Sequence, residues 1–202
     1  MTAPHDTAEH WPVESARKVF QGVLVGVRRD TLAPATPGGE FFDREVVTHP
    51  GAVGVVAVDS AGRMLVIQQY RHAAKKRMVE IPAGLLDVEG EPAIEAARRE
   101  LREEGLVEAA RWTPLLTYQP SPGSSEEVVH VFLAEGLTEA TLPVGFDAEH
   151  EEVSLTRSWV DVDELITAIL AGQVQNGLTI AGSLAFSALR GAKHHLRAPC
   201  PT

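Results

Sequence analysis

The sequence predicts an α+β fold, or an α/β/α sandwich around a mixed sheet, on three observations. Val/Ile/Leu-rich runs pair across short turns in the first half. Helical stretches stand between and after those strands, and no repeat or low-complexity segment interrupts the order. With 202 residues, 44% apolar and 23% charged, the chain is long enough for one full-sized core and too apolar for wholesale disorder.

The elements follow in order. Residues 1–18 are polar at the start and are expected to form a flexible segment. Residues 19–48 supply an N-terminal antiparallel strand region: "VFQGVLVGVRRDTL" and "FFDREVVTH" read as strands, joined by the Pro/Gly loop "APATPGGE". "GAVGVVAVDSAGRMLVIQQYR" is the clearest hairpin, its turn at Asp59–Gly62 marked by residue chemistry. "MVEIPAG" is a short strand ending in a turn. A helix then starts near Pro92, with Glu91 and Glu95 at its positive end, and stops at Gly105, whose type suits a left-handed cap. Strands at about 112–119, 128–134 and 153–160 and helices at about 162–171 and 178–189 complete the main domain, 49–191, before a flexible tail, 192–202.

A formal net charge of −10 excludes a general nucleic-acid or anionic-membrane binder, which needs a basic footprint. It leaves room for a phosphorylated small molecule where a metal ion reverses the local sign. Cys200 is the sole cysteine, so no intrachain disulfide and no Cys-based metal site can form. The N-terminus lacks an apolar signal core and no run is long enough to span a membrane, so the chain reads as cytoplasmic.

"RRELREEG", Arg98 to Gly105, carries the chemistry. Glu100, Glu103 and Glu104 lie on one helical face beside the helix C-terminus, where the backbone dipole is already negative. A solvated charged face with interleaved arginines is the bland account, since exposed pairs contribute only about 0.2–0.5 kcal/mol each. At ~5.5 Å and an effective dielectric near 20, each like-charge pair repels by roughly 3 kcal/mol, less where water screens it. A hard divalent cation reverses the sign of these terms, and carboxylate oxygens are the ligands that Mg²⁺ and Mn²⁺ take.

Gly84, then Glu91, then Arg99-Glu100-Leu101-Arg102-Glu103-Glu104 resembles the signature of the Nudix hydrolases, matching in identity and spacing from Glu91 to Glu104. There are two departures: the loop after Gly84 is one residue longer than the pattern, and Gly105 comes one position early, with Leu106 where glycine is expected. The resemblance implies a Nudix-like α/β/α sandwich around a mixed β-sheet. It implies Glu100, Glu103 and Glu104 as metal ligands, with the Ala83 carbonyl completing the site. Glu103 is counted as catalytic too, Arg99 orients the carboxylates, and Glu91 is an outer acid. The ion is Mg²⁺ or Mn²⁺.

Over roughly 20–190 the chain resembles the ADP-ribose pyrophosphatase branch of that family, through "QQYRHAAKKRMVEIPAGLLD", the Pro-Gly loop "SPGSSEE" and "NGLTIAGSLA". The implied activity is hydrolysis of ADP-ribose, or a similar nucleoside diphosphate sugar, to AMP and ribose 5-phosphate. Another nucleotide substrate, or a non-catalytic sensor of ADP-ribose, stays open as the alternative. Arg71, Glu80, Pro122, Gly123 and Glu127 become substrate contacts, with Glu126 a weaker one; for Glu80 a strand-end salt bridge is the competing account. "DAEHEE", Asp147 to Glu152, resembles the loop that supplies a base, with Glu151 and Glu152 aligned best and Glu149 not excluded. The branch also implies a homodimer with contacts in 19–48. His72, His130 and His150 show no metal spacing, Trp112 and Trp159 read as core, and Tyr70 and Tyr118 are possible base-stacking residues.

Overall fold

The computed structural model describes residues 4–142 and 154–191. It divides into two compact units, Met1–Pro50 with Ser121–Glu127, and Gly51–Pro120 with Val128–Thr202.

The first unit is a three-stranded antiparallel sheet, β1 (Val13–Gln21), β2 (Gly26–Leu32) and β3 (Phe42–Thr48), in that order. Two expectations change here. β1 begins at Val13, inside the stretch expected to be loose. "VFQGVLVGVRRDTL" is two strands, because the Gly22 N–H donates to the Val25 carbonyl at 2.8 Å and closes a turn between them. The Pro-Gly loop segment joins this unit: the Val47 N–H donates to the Ser124 carbonyl and the Glu126 N–H to that of Val47.

The second unit is a mixed seven-stranded sheet between helices. Its strands are β4 (Ala52–Val58), β5 (Arg63–Arg71), β6 (Lys76–Glu80), β7 (Ala83–Leu85), β8 (Val107–Tyr118), β9 (Val129–Glu139) and β10 (Thr156–Asp161). The order is β10-β5-β4-β9-β8, with β6 paired to β5 and β7 to β4; β4 runs parallel to β9 and all other pairs are antiparallel. The predicted β4–β5 hairpin forms, its turn held by Asp59 Oδ1 accepting from the N–H groups of Ala61 and Arg63. Its strands meet only at Val58 and Met64 and then part, so β7 pairs with the start of β4 and β6 with the end of β5.

β4 is buried on both faces, which is why it reads as a continuous apolar run rather than an alternation. Val53, Val55 and Ala57 face α1 (Ala93–Gly105) with Ala96, Ala97 and Leu101; Val56 and Val58 face the core packed by α2 (Val162–Leu170) and α3 (Gly177–Gly191). This is the predicted α/β/α sandwich. Trp112 is core, and Trp159 packs against that core. No helix among the described residues is long and apolar enough to cross a membrane.

α1 differs from expectation at both ends. Pro92 is its extended N-cap rather than a helical residue, and its carbonyl accepts from the Glu95 and Ala96 N–H groups. At the other end Gly105 is still helical, and the left-handed cap is Leu106, at φ 56° and ψ 32°. The glycine serves packing instead: a Cβ there would stand 2.9 Å from Leu65 Cδ2 and 3.1 Å from Leu101 Cδ1.

Candidate active site

The second unit brings the acidic end of α1 against the turn between β6 and β7. Pro82 offers its carbonyl to the Val55 N–H at 2.8 Å, and the next residue, Ala83, donates its N–H to Glu104 Oε2 at 2.8 Å. One residue further, a Cβ on Gly84 would stand 2.0 Å from the carboxyl carbon and Oε1 of Glu100. Only glycine lets that carboxylate lie on the backbone. Two acids one helical turn apart are thus seated on the first two residues of β7.

Arg99 binds the remaining acids together. Its Nη1 donates to Glu100 Oε1 at 2.6 Å and to Glu103 Oε2 at 3.3 Å, while Nε and Nη2 reach the two oxygens of Glu91 at 3.3 and 3.2 Å. The Glu91 contact, followed by the charge of Glu100, raises the Arg99 pKa further above its usual range despite partial burial. Glu91 therefore acts from the helix start as a two-point anchor for the guanidinium.

Glu104 is 8% exposed. Burial first, then the charges of Glu100 and Glu80, push its carboxyl pKa up to about 8 against the opposing pull of the Ala83 N–H and Arg71. As placed, no three His, Cys, Asp or Glu among the described residues converge to hold a metal ion. The reason is visible in the contacts: Arg99 lies between Glu100 and Glu103, and Glu104 is turned to Ala83. The donor set nonetheless fits a hard divalent cation. It consists of three carboxylates on one face, with Glu100 lying in a cradle at Gly84 that any Cβ would fill.

Beside Glu104, Arg71 makes a two-point contact with Glu80, Nε to Oε1 at 2.9 Å and Nη2 to Oε2 at 2.7 Å. Glu80 is 2% exposed and also accepts from Gln69 Nε2. The structure thus commits the Glu80 carboxylate to Arg71, whose own side chain is 47% exposed.

Pro122, Gly123, Glu126 and Glu127 belong to the first unit, where Glu126 pairs with Arg28 at 3.1 Å and the Glu127 N–H donates to Ser125 Oγ. Glu149, His150, Glu151 and Glu152 lie outside the described residues. His72 contacts the Tyr70 hydroxyl and His130 the Thr117 hydroxyl, each an ordinary polar contact. Tyr70 is 39% exposed.

Arg157, on β10, was not singled out by the sequence. Its Nε donates to the Glu104 carbonyl and its Nη2 to that of Glu103 at 3.3 Å. It supplies the cation that the negative helix end wants. The signal available was indirect: an acidic helix end needs a basic partner, and the sequence does not say from which strand.

Four likenesses bear on the chain. The family model described as "NUDIX domain" matches residues 48–179. The ADP-ribose pyrophosphatase of Mycobacterium tuberculosis (strain H37Rv) is 42% identical over 183 residues, covering 90% of this chain and 86% of that protein. The ADP-ribose pyrophosphatase of Bacillus subtilis (strain 168) is 44% identical over 121 residues, 60% of this chain and 64% of that protein. A crystal structure of an ADP compounds hydrolase superposes with a TM-score of 0.75 at 19% identity, over 93% of this chain and 98% of the other, a likeness of fold.

Proposed function

This chain belongs to the Nudix family, and we infer from that premise that it hydrolyses the pyrophosphate bond of ADP-ribose. Water adds to one phosphorus, the bridging P–O bond breaks, and AMP and ribose 5-phosphate leave. The observation that carries this reading is the seating of Glu100 and Glu104 on Ala83 and Gly84, with Arg99 holding Glu100 and Glu103. Two relatives named for this activity, matched at 42% and 44% identity, support the substrate.

Glu100, Glu103 and Glu104, with the carbonyl of Ala83, would hold the divalent cation, Mg²⁺ or Mn²⁺ by the hardness of the donors. When bound, that ion neutralises charge on the diphosphate and makes water a better nucleophile. The chain's own groups do the rest. Arg99, anchored by Glu91, keeps the carboxylates oriented. Arg71, pre-oriented by buried Glu80, offers a half-exposed guanidinium to a phosphate. The proton of the attacking water is assigned to Glu151 or Glu152 on the sequence resemblance, a carboxylate being a suitable general base. Pro122, Gly123 and Glu127 are assigned to substrate contact on the sequence resemblance.

We also propose a homodimer through the first unit. Every residue of β1 is exposed, including Val13, Val19 and Phe20, and such an edge strand seeks a partner. Light scattering should give a dimer mass; monomer alone at micromolar concentration counts against it.

The activity is tested by incubating the protein with ADP-ribose in ¹⁸O-labelled water, with and without Mg²⁺. The expected products are AMP and ribose 5-phosphate, one of them labelled, only with the ion. Faster turnover of nucleoside triphosphates would reassign the substrate. Metal-dependent binding without product over hours would make the protein a sensor.

A further inference from the structure

We propose that Thr179 is a positioning residue for the acid cluster, acting through the Ile81–Pro82 turn; this rests on the hydrolase reading above. Thr179 stands in the first turn of α3 and is wholly buried. Asn176 Oδ1 accepts from both the Thr179 N–H, at 2.9 Å, and its hydroxyl, at 3.0 Å. With its proton so committed, Thr179 Oγ1 turns a lone pair to the Ile81 N–H, which donates to it at 3.0 Å. The polarity of this relay is fixed at every link.

The relay ends on the turn that carries the site. Ile81 lies between β6 and β7, so its buried N–H is met by a side chain rather than a neighbouring strand. Pro82 has no N–H, and its carbonyl is taken by Val55. The turn is thereby pinned by α3 at Ile81 and by β4 at Pro82. Immediately before it Glu80 clamps Arg71, and immediately after it Ala83 holds Glu104. Any shift of the turn moves both contacts at once.

α3 is packed too closely to let the relay slacken. A Cβ on Gly182 would stand 3.0 Å from Val56 Cγ2 and 3.1 Å from Ile81 Cδ1, and one on Gly54 would stand 2.7 Å from Leu178 Cδ1. The stretch Asn176–Gly182 thus has a physical reason for its small and hydroxyl residues beyond helix capping. A purely structural Thr179 would support stability alone; a positioning Thr179 sets metal affinity as well.

The test compares Thr179→Val, Thr179→Ser and Ser183→Ala. Ser183 is buried on the same helix, its hydroxyl on Met64 Sδ, away from the turn. Each folded variant is titrated with Mn²⁺ by electron paramagnetic resonance, melted, and followed for exchange of the Ile81 amide. Thr179→Val should lose about tenfold or more in Mn²⁺ affinity, the usual cost of removing an outer support of a metal site. Its kcat should fall and the Ile81 amide lose protection, while Thr179→Ser recovers most of both. Ser183→Ala should lower the melting temperature without changing Mn²⁺ affinity. Wild-type Mn²⁺ affinity in Thr179→Val, or an equal loss in Ser183→Ala, overturns the proposal. If Thr179→Val does not fold, Asn176→Ala carries the test: a weaker loss in the same direction supports it and unchanged affinity overturns it. Wild-type protein that neither binds Mn²⁺ nor cleaves ADP-ribose brings down the hydrolase reading itself, an outcome distinct from an unchanged Thr179 variant.

Discussion

The N–H of Ala83 donates to Oε2 of Glu104 at 2.8 Å, joining a turn to a helical carboxylate 21 positions away. That contact opposes the burial of Glu104 and the repulsion of Glu100 and Glu80, which together hold its pKa near 8. On the proposed function, a cation bound beside Glu104 would favour the charged form that burial disfavours.

Glu104→Gln therefore keeps the shape and the Ala83 contact and removes the charge. Turnover of ADP-ribose is expected to fall by about 10²–10³-fold, the scale of losing one charge-stabilising group. Circular dichroism should be unchanged. A variant turning over like wild type would take Glu104 out of the metal set.

The same residue gives the metal-free protein a pH signature. Its folded pKa of about 8 lies above the ordinary value of 4.5, so between these the native state binds more protons than the unfolded one. This contribution to stability is fully present below 4.5 and is lost as pH rises through about 8. With metal chelated away, the melting temperature of wild type should fall from pH 5 to pH 8 relative to that of Glu104→Gln. Parallel profiles for the two proteins would refute the shift.

Arg71 and Glu80 form a pair whose two ends differ in exposure. Arg71→Ala strands a carboxylate that is 2% exposed, so urea unfolding should show a loss of about 1–3 kcal/mol. Glu80→Gln leaves the guanidinium charged but less well held. It should raise KM for ADP-ribose several-fold more than it lowers kcat, and an unchanged KM would separate Arg71 from the substrate.

The acid cluster was legible because its geometry is local: helical spacing alone puts Glu100, Glu103 and Glu104 on one face. The apolar runs and the turn of β4–β5 were legible for the same reason. What escaped depends on distant pairing. The parallel match of β4 with β9 and the arrival of Arg157 at the end of α1 join segments far apart in the chain. Gly105 was misread by local propensity, since a glycine near a helix end signals a left-handed cap. Packing against Leu65 claimed it instead, and the cap fell to Leu106.

Arg157 neutralises carbonyls at the tip that bears the acids. Arg157→Ala should cost about 0.3–1 kcal/mol in urea unfolding, the range for an exposed cation at a helix C-terminus, and Arg157→Lys should recover part of it. High salt should shrink the difference for Lys first, because a point charge without the guanidinium fork depends more on unscreened attraction. An alanine variant as stable as wild type would mean that water caps these carbonyls equally well.

Leu106 provides the sharpest separation of strain from packing. An L-residue in the left-handed region costs roughly 1–2 kcal/mol, and glycine escapes that cost. Leu106 is only half-buried and belongs to neither core cluster, so truncating it forfeits little apolar burial. Leu106→Gly should therefore stabilise the protein by about 1 kcal/mol, raising the melting temperature by about 2–4 °C for a chain of this size. The Leu106 N–H already donates to the Arg102 carbonyl, a bond that glycine keeps, so the helix exit and the carboxylates before it should hold their places and kcat should stay within about twofold of wild type. A fall in melting temperature would show that the leucine side chain contributes more by its contacts than it costs in backbone strain. A rise in stability with a collapse of kcat would show instead that the strained exit is part of how Glu103 and Glu104 are aimed.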